Sequence, residues 1–261
     1  MPYQTLRVSV NGTLATVTLD RPNVRNAFNE ATIADLTHAF ASLGSNDSVR
    51  AIVLAANGSA FCAGADLNWM KKMALYTHAD NLADAQQLAV MLRTIYTCPK
   101  PVVASVQGDC YAGGMGLVAA CDIVVVAEEV HFCLSEVKLG LIPATIAPYV
   151  IKAIGEQAAR RYFLTAERFD AHEAHRIGLA HEVVAANALD DKVAAIVQAL
   201  MANSPHAVRQ AKILVRDVAG RPVTDALVQD TAERIAQIRT SNEGREGVLS
   251  FLEKRKPGWL N

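Results

Sequence analysis

Residues 101–143 carry the strongest indications of the fold. Two apolar runs, residues 101–106 and 123–127, are typical of strands buried in a parallel sheet. Between them, Gly113, Gly114 and Gly116 predict a tight turn leading into a short apolar helix. Glu136 follows a third predicted strand, near residues 131–134. The sequence therefore predicts an α/β fold with a ligand site where these strands end.

The composition excludes several classes of function. Of the 261 residues, 51% are apolar and 20% are charged, as in a packed globular protein, and the net charge of −1 argues against nucleic-acid binding. The first residues lack the pattern of a signal peptide, and no apolar run approaches the ~20 residues that cross a membrane. Five cysteines without zinc-type spacing are expected to be reduced core residues. We expect a cytoplasmic protein with no membrane partner and no metal.

The pattern changes in character towards the end of the chain. Asn11-Gly12 between two alternating apolar segments predicts a β-hairpin, and strands and helices then alternate. The last ~75 residues have only helical periodicity. We place a boundary near Ala185, with a core carrying the site in residues 1–185 and a helical oligomerisation region in residues 186–261. Helices are predicted at 29–43, 79–97, 147–154, 156–165, 171–177, 188–203, 205–218, 223–239 and 241–255.

Two segments of small residues are candidates for binding an anionic oxygen. Residues 63–66, Ala-Gly-Ala-Asp, follow one buried strand, and Gly113-Gly114 follows the next. Each segment alone is equally compatible with an ordinary tight turn. Because neighbouring parallel strands end at the same sheet edge, two backbone N–H groups could converge there on one oxygen, forming an oxyanion hole.

Glu136 is the best candidate for acid–base chemistry. It lies among apolar residues, where burial would raise the pKa of a carboxyl group. The alternative is a carboxylate that stabilises the start of a helix after Ser135. Other chemistries lack their motifs: no Lys-Ser/Thr follows the glycines as in a phosphate loop, and no Gly-x-Ser-x-Gly elbow exists. His172 and His175 are interpreted as surface residues.

Five groups of residues match a known pattern along almost the whole chain. They are Phe61-Cys-Ala-Gly-Ala-Asp-Leu67, Gly108-x-x-x-x-Gly-Gly-x-x-Leu117 with Ala120-Cys-Asp-Ile123, Phe132-x-x-x-Glu136-x-x-x-Gly140-x-x-Pro143, Asp20-Arg-Pro22 with Asn26-Ala27, and Phe251-Leu-Glu-Lys-Arg-Lys-Pro257. Together they resemble the enoyl-CoA hydratase/isomerase (crotonase) superfamily. Residues 67–72 and 132–143 look most like bacterial methylglutaconyl-CoA hydratases and their carboxygeranoyl-CoA relatives.

This resemblance implies a fold, a substrate class and roles for particular residues. The fold would be the crotonase (ClpP-like) spiral of ββα units with a C-terminal helical trimerisation region, in a homotrimer or a dimer of trimers. The substrate would be an acyl-CoA thioester whose carbonyl oxygen accepts from the amides of Ala65 and Gly113, with Glu136 as the catalytic carboxylate. Coenzyme A is then part of the substrate, and no separate cofactor is expected. Further substrate contacts are implied for Arg25, Ala27, Ala63, Asp66, Leu67, Gly116, Phe251 and Lys254, the last two reaching a neighbouring subunit.

One position departs from the family pattern. Hydratases with two catalytic glutamates carry the first where this chain has Gly116. Glu136 could act alone, or Asp109, Tyr111 or a carboxylate of the substrate could assist. Three hypotheses follow: a hydratase for a branched, carboxylated enoyl-CoA such as 3-methylglutaconyl-CoA, a Δ3,Δ2-enoyl-CoA isomerase with a single base, and a non-catalytic acyl-CoA-binding protein. Position alone suggests an acyl pocket of Trp69, Met70, Met73, Tyr76, Met115, Ile142 and Ile146.

Overall fold

The structure, a computed structural model, describes residues 3–260. The chain divides into two compact units between Ala195 and Ile196, inside a helix. The predicted boundary near Ala185 lies earlier, at the last strand of the alternating region. No helix within residues 3–260 is both long enough and apolar enough to span a membrane.

Strands and helices alternate through most of the described chain, as predicted. The strands are β1 (Leu6–Asn11), β2 (Leu14–Leu19), β3 (Ala51–Ala56), β4 (Ala60–Cys62), β5 (Val102–Val106), β6 (Asp109–Tyr111), β7 (Ile123–Ala127), β8 (His131–Cys133), β9 (Phe169–Asp170) and β10 (Glu182–Val184). The helices are α1 (Glu30–Ser45), α2 (Leu67–Met73), α3 (His78–Tyr96), α4 (Gly113–Ala120), α5 (Ala147–Thr165), α6 (Ala171–Arg176), α7 (Leu189–Ala202), α8 (Pro205–Val218), α9 (Asp225–Thr240) and α10 (Asn242–Leu252). Short 3₁₀ helices cover Pro22–Val24, Glu136–Leu139, Ala186–Ala188 and Gly258–Leu260.

The larger sheet has six strands in the order β1-β2-β3-β5-β7-β10. Strands β1 and β2 form the predicted antiparallel hairpin, with Gly12 in the left-handed region at φ 58°. From β2 to β10 the pairings are parallel. Strands β5 and β7 are almost wholly buried, which explains their uninterrupted apolar sequences. The prediction of buried parallel strands is confirmed.

The smaller sheet has four strands in the order β4-β6-β8-β9. Strands β4 and β6 have three residues each and were not predicted from the sequence. Three residues are too few to show a strand period. Both strands run parallel to each other and to β8, which the sequence did predict.

Local capping sets where the main helices begin and bend. The Asn29 side chain accepts from the backbone N–H of Thr32 at 2.9 Å, so α1 begins at Glu30 as predicted. In α3, Thr77 and Asp80 form a capping box. Helix α5 covers the two helices predicted on either side of Gly155, which has a φ of 75° and interrupts the helical geometry.

The second unit, from Ile196 onward, contains the end of α7 and all of α8 to α10. Its helices are joined by polar contacts. The hydroxyl of Ser204, the N-cap of α8, donates to a Glu243 carboxylate oxygen at 2.6 Å. The indole of Trp259 donates to the carbonyl of Ala202 at 3.2 Å. The wholly helical pattern predicted for this region is confirmed.

The N-cap of α1 gives a test of the fold. Replacing Asn29 with Ala removes the oxygen that accepts from Thr32, and we expect a loss of about 1 kcal/mol in the free energy of unfolding, measured in urea. N29D is the control, since aspartate keeps the acceptor and should stay close to the parent. Equal stability of N29A and the parent would contradict this account of the helix start.

Candidate functional site

Three neighbouring parallel strands, β4, β6 and β8, end at one edge of the smaller sheet. Cys62 is in register with Cys110, and Tyr111 with Cys133. The segments after these strands are residues 63–66, the start of α4, and the 3₁₀ helix that begins at Glu136. Because parallel strands share the edge at which they end, the three predicted site segments are brought together there.

The Ala65 amide is left without an internal acceptor. Ala65 forms an isolated parallel bridge with Phe28, in which the Phe28 N–H donates to Gly64 and the Asp66 N–H donates to Phe28, both at 2.7 Å. In such a bridge the hydrogen bonds flank the central residue, so the N–H of Ala65 itself faces away from Phe28. It donates to no acceptor within residues 3–260, and Ala65 is only half-buried. Its amide can therefore bind an added ligand.

The Gly113 amide is free for a different reason. Gly113 is the first residue of α4, and the first N–H groups of a helix have no partner within it. The helix also adds partial positive charge at this end. Ala112, just before it, has a φ of 48°, an unfavourable conformation for a residue with a side chain, and its N–H donates to the Cys133 carbonyl at 2.8 Å. The strained turn directs the chain from β6 into α4.

Phe28 holds the two amides near each other. It pairs with Ala65 along the backbone, while a Cβ placed on Gly113 would lie 2.8 Å from the Phe28 ring. Only glycine therefore fits at position 113. A second contact joins the same segments, because a Cβ on Gly64, whose φ is 94°, would lie 3.1 Å from the Ala112 side chain.

An ion pair between the partly buried Arg21 and the buried Asp66 fixes the segment that contains Ala65. The Arg21 guanidinium donates to the Asp66 carboxylate at 2.8 Å and to the Ala27 carbonyl at 2.6 Å. The Asn26 side chain accepts from the Arg21 N–H and donates to the Asn57 and Ala60 carbonyls. These bonds tie residues 21–28 to both flanks of the bridge at Ala65.

The predicted ligand residues differ in how accessible they are. Arg25 and Ala63 line a cavity of about 220 Å³, together with Ser59, Ala60, Asp109 and Tyr111. Leu67 is 74% exposed at the start of α2.

Two other predicted ligand residues are buried and already bonded. The Ala27 carbonyl is held by Arg21, and the Asp66 carboxylate also accepts from the Asn68 N–H as the cap of α2. Phe251 and Lys254 belong to the second unit, where Phe251 is 81% exposed at the end of α10.

Glu136 combines partial burial with an unused oxygen. Its side chain is half-buried at the start of the 3₁₀ helix Glu136–Leu139, and Oε2 is buried with no partner in the described chain. Burial raises the pKa of this carboxyl, while a hydrogen bond from its own backbone acts in the opposite direction. A carboxylate that served only to stabilise a helix start would not need a buried, unpaired oxygen. Glu136 is therefore available for proton transfer.

The other candidate acids near the site are occupied or absent. Asp109 accepts from the Tyr111 hydroxyl at 2.6 Å and from the His131 N–H at 3.0 Å. At position 116 the space for a side chain is filled, since a Cβ would lie 2.3 Å from Ile146 Cγ2. Glu136 is thus the carboxylate with a free oxygen among the predicted site residues that the structure describes.

Some features of the site had no clear signal in the sequence. Arg21 and Asn26 lie in a motif that matched the family, but nothing local indicated that they bond across the site. Nothing in the sequence distinguishes Phe28 from an ordinary core residue. Ile146 and Met115, suggested for the acyl pocket, are buried, whereas Ile142 is 73% exposed.

Comparisons with known proteins identify the family of this chain. Residues 9–261 match the family model described as enoyl-CoA hydratase/isomerase. The chain is 33% identical over 246 residues to a Thermus thermophilus relative, covering 94% of this chain and 97% of that one.

 An enoyl-CoA hydratase of Alternaria alternata, ACTT6, is 33% identical over 240 residues, covering 87% of this chain and 78% of that one.

Solved structures give the same result over the whole fold. An enoyl-CoA hydratase from Shewanella pealeana superposes with a TM-score of 0.96 at 42% identity, covering 98% of this chain and 96% of that one. An enoyl-CoA hydratase from Mycobacterium smegmatis superposes with a TM-score of 0.92 at 34% identity, covering 98% and 99%. With the family model and these relatives in agreement, the chain belongs to the enoyl-CoA hydratase/isomerase family and is an enzyme of that family.

Proposed function

We propose that this enzyme adds water across the 2,3 double bond of an acyl-CoA thioester, with Glu136 as its acid–base group. The observation that carries the proposal is the buried, unpartnered Oε2 of Glu136 at the same sheet edge as two free amides, those of Ala65 and Gly113. A free carboxylate supplies proton transfer, and paired N–H groups supply electrostatic stabilisation.

The two amides would bind the thioester carbonyl oxygen. When water attacks C3, negative charge develops on that oxygen as an enolate forms. Donors that are already in place there stabilise the transition state by about 3–4 kcal/mol each in comparable sites. The fixed bridge at Ala65 and the fixed helix start at Gly113 mean that little reorganisation is needed as this charge appears.

Glu136 would carry out both proton transfers of the reaction. Its carboxylate accepts a proton from water as the new oxygen–carbon bond forms at C3, and the resulting carboxylic acid returns a proton to C2 as the enolate collapses. Partial burial raises the pKa of this group, which makes the protonated form accessible during turnover. The net result is one water molecule added, with Glu136 regenerated.

The acyl group that we propose is branched and carboxylated, as in 3-methylglutaconyl-CoA. The support is the similarity of residues 67–72 and 132–143 to methylglutaconyl-CoA hydratases. The test is a panel of linear, branched and carboxylated enoyl-CoA esters, with loss of the enoyl-thioester absorbance as the readout. A preference for linear esters would reject this substrate and leave the hydratase assignment intact.

For the coenzyme A part, we propose contacts with Arg25 and Ala63, which line the cavity beside the site. Phe251 and Lys254 would come from a neighbouring subunit of a homotrimer or dimer of trimers. Light scattering after size exclusion tests the assembly. A fall in affinity for acyl-CoA in F251A, with the assembly intact, tests the contact from the second unit.

A second candidate function is Δ3,Δ2-enoyl-CoA isomerisation, which Gly116 favours because one base can remove and redeliver a proton. The two activities separate when a 3-enoyl-CoA is supplied. Accumulation of the conjugated 2-enoyl-CoA without hydration indicates an isomerase. Appearance of the 3-hydroxyacyl product from a 2-enoyl-CoA indicates a hydratase.

Substituting the proposed acid–base group should remove catalysis while sparing binding. We expect E136Q to lower kcat by at least ~100-fold, because an amide cannot exchange protons in this role. Affinity for a CoA ester should stay within about twofold of the parent. E129Q is the control, since the same change at an exposed position should leave kcat unaltered. A fully active E136Q would exclude Glu136 from the mechanism.

The raised pKa of Glu136 also predicts a pH dependence. Only the ionised carboxylate can accept a proton, so kcat/KM of the free enzyme should fall as pH falls through the folded-state pKa. This limb should lie above about 4.3, the usual value for glutamate.

The raised pKa of Glu136 also makes stability depend on pH, in the opposite direction to kcat/KM. Because the folded-state pKa is raised, the folded protein binds more protons than the unfolded chain between the two pKa values. The free energy of unfolding should therefore decrease as pH rises through that interval. In E136Q this decrease should be absent, as measured by urea unfolding at several pH values.

The ion pair behind Ala65 gives a further prediction. R21M leaves the buried Asp66 carboxylate without its guanidinium partner and frees the Ala27 carbonyl. We expect destabilisation by about 3 kcal/mol or more and a fall in kcat that exceeds the change in KM. R7M is the matched control, since Arg7 pairs with Asp20 at an exposed position and its loss should change stability little. If kcat is unchanged in R21M, Arg21 does not position the Ala65 amide.

A further inference from the structure

Gly116 packs against Ile146 and Leu92, which leave no room for a side chain. A Cβ at this position would lie 2.3 Å from Cγ2 and 2.8 Å from Cβ of Ile146, and 3.5 Å from Cδ2 of Leu92. Real Cβ atoms do not approach other atoms below 3.0 Å. Helix α3, helix α4 and the residue just before α5 therefore meet at position 116. Any larger residue there requires Ile146 or Leu92 to move.

Ile146 cannot easily move aside. Its side chain is only 2% exposed, and its Cβ atom, which no rotamer change displaces, is already too close. Its backbone is anchored, because its carbonyl accepts from the Val150 N–H at 3.0 Å and the next residue, Ala147, donates to Pro143 at 3.0 Å. The anchored position of Ile146, just before α5, therefore excludes a side chain from position 116.

The contact between Gly116 and Ile146 lies near the functional part of the site in the chain. Gly116 is three residues after Gly113 in α4, so the two positions share one side of the helix. Ile146 belongs to the segment that continues from Glu136, where the Leu141 N–H donates to the Glu136 carbonyl at 3.1 Å. A side chain at position 116 would consequently compete for space with Ile146, in the segment that leads on from Glu136.

We propose that Ile146 determines the chemistry of this site by keeping a second ionisable side chain out of position 116, so that Glu136 alone transfers protons. The proposal deepens the proposed hydratase function and rests on it for its catalytic half. Two carboxylates in one partly buried site titrate as a coupled pair, and the pKa of one of them is raised so that it stays protonated. Filling the space with an isoleucine avoids that coupling and leaves one carboxylate to act as base and then as acid.

The test is a cycle of four proteins: the parent, G116E, I146G and the double variant G116E/I146G. Urea unfolding should show that each single variant is destabilised, G116E by overlap and I146G by a cavity. The double variant should lose less stability than the two single variants lose in sum. The difference should correspond to at least a tenfold coupling in the unfolding equilibrium. G116E/I151G is the control, because Ile151 is 41% exposed on α5 and should give no such recovery.

The activity readout separates a chemical role from a packing role. The pH profile of kcat/KM should show one carboxylate limb in the parent and an additional ionisation in G116E/I146G. Where G116E does not fold, the cycle of G116A with I146G supplies the coupling, because glycine at position 146 removes the Cβ that overlaps with the added methyl group. The pH profile is then measured on G116E/I146G.

Two results would overturn the inference. Additive stability effects across the cycle would show that Ile146 does not exclude a side chain from position 116. An unchanged pH profile in a well-folded G116E/I146G would show that the excluded position lies outside the reacting part of the site. The unfolding cycle needs no substrate, so a parent that fails to hydrate any enoyl-CoA would count against the proposed function and leave the steric result intact.

Discussion

The parallel pairing of β4, β6 and β8 is the interaction on which the site depends. These strands have three residues each, yet their register sets where three separate segments leave the sheet. One segment presents the Ala65 amide, the next begins α4 at Gly113, and the third leads to Glu136. Without that pairing, these groups would belong to three unrelated turns, and no pair of donors could converge on one oxygen.

The site is built from polar groups that the fold leaves without partners. Buried or half-buried donors and acceptors are normally bonded within the protein, because an unpaired group loses its hydration without compensation. Here the bridge at Phe28 satisfies the Gly64 carbonyl and the Asp66 N–H but not the Ala65 N–H, and Glu136 keeps one buried oxygen unpaired. The Arg21–Asp66 pair holds the residue that directly follows Ala65.

Gly116 and Ile146 show how packing can determine chemistry. The absence of a carboxylate at position 116 is visible in the sequence, but a missing side chain could equally leave a space for water or substrate. The structure fills the space with Ile146. The resulting site has one free carboxylate, whose pKa is raised by burial and not by a neighbouring acid. This arrangement suits a reaction in which a single group takes and returns a proton.

The sequence alone predicts the hairpin at Asn11-Gly12, the long buried strands, the main helices and the three site segments, because each has a local period, cap or turn signal. It also singled out Glu136 and Gly113. Tertiary structure alone decided the pairing of the three-residue strands, the place of Phe28 between the two amides, the bonds of Arg21, and the contact of Ile146 with Gly116. These features join residues far apart in the chain. No local periodicity encodes such contacts, since they depend on how whole elements pack.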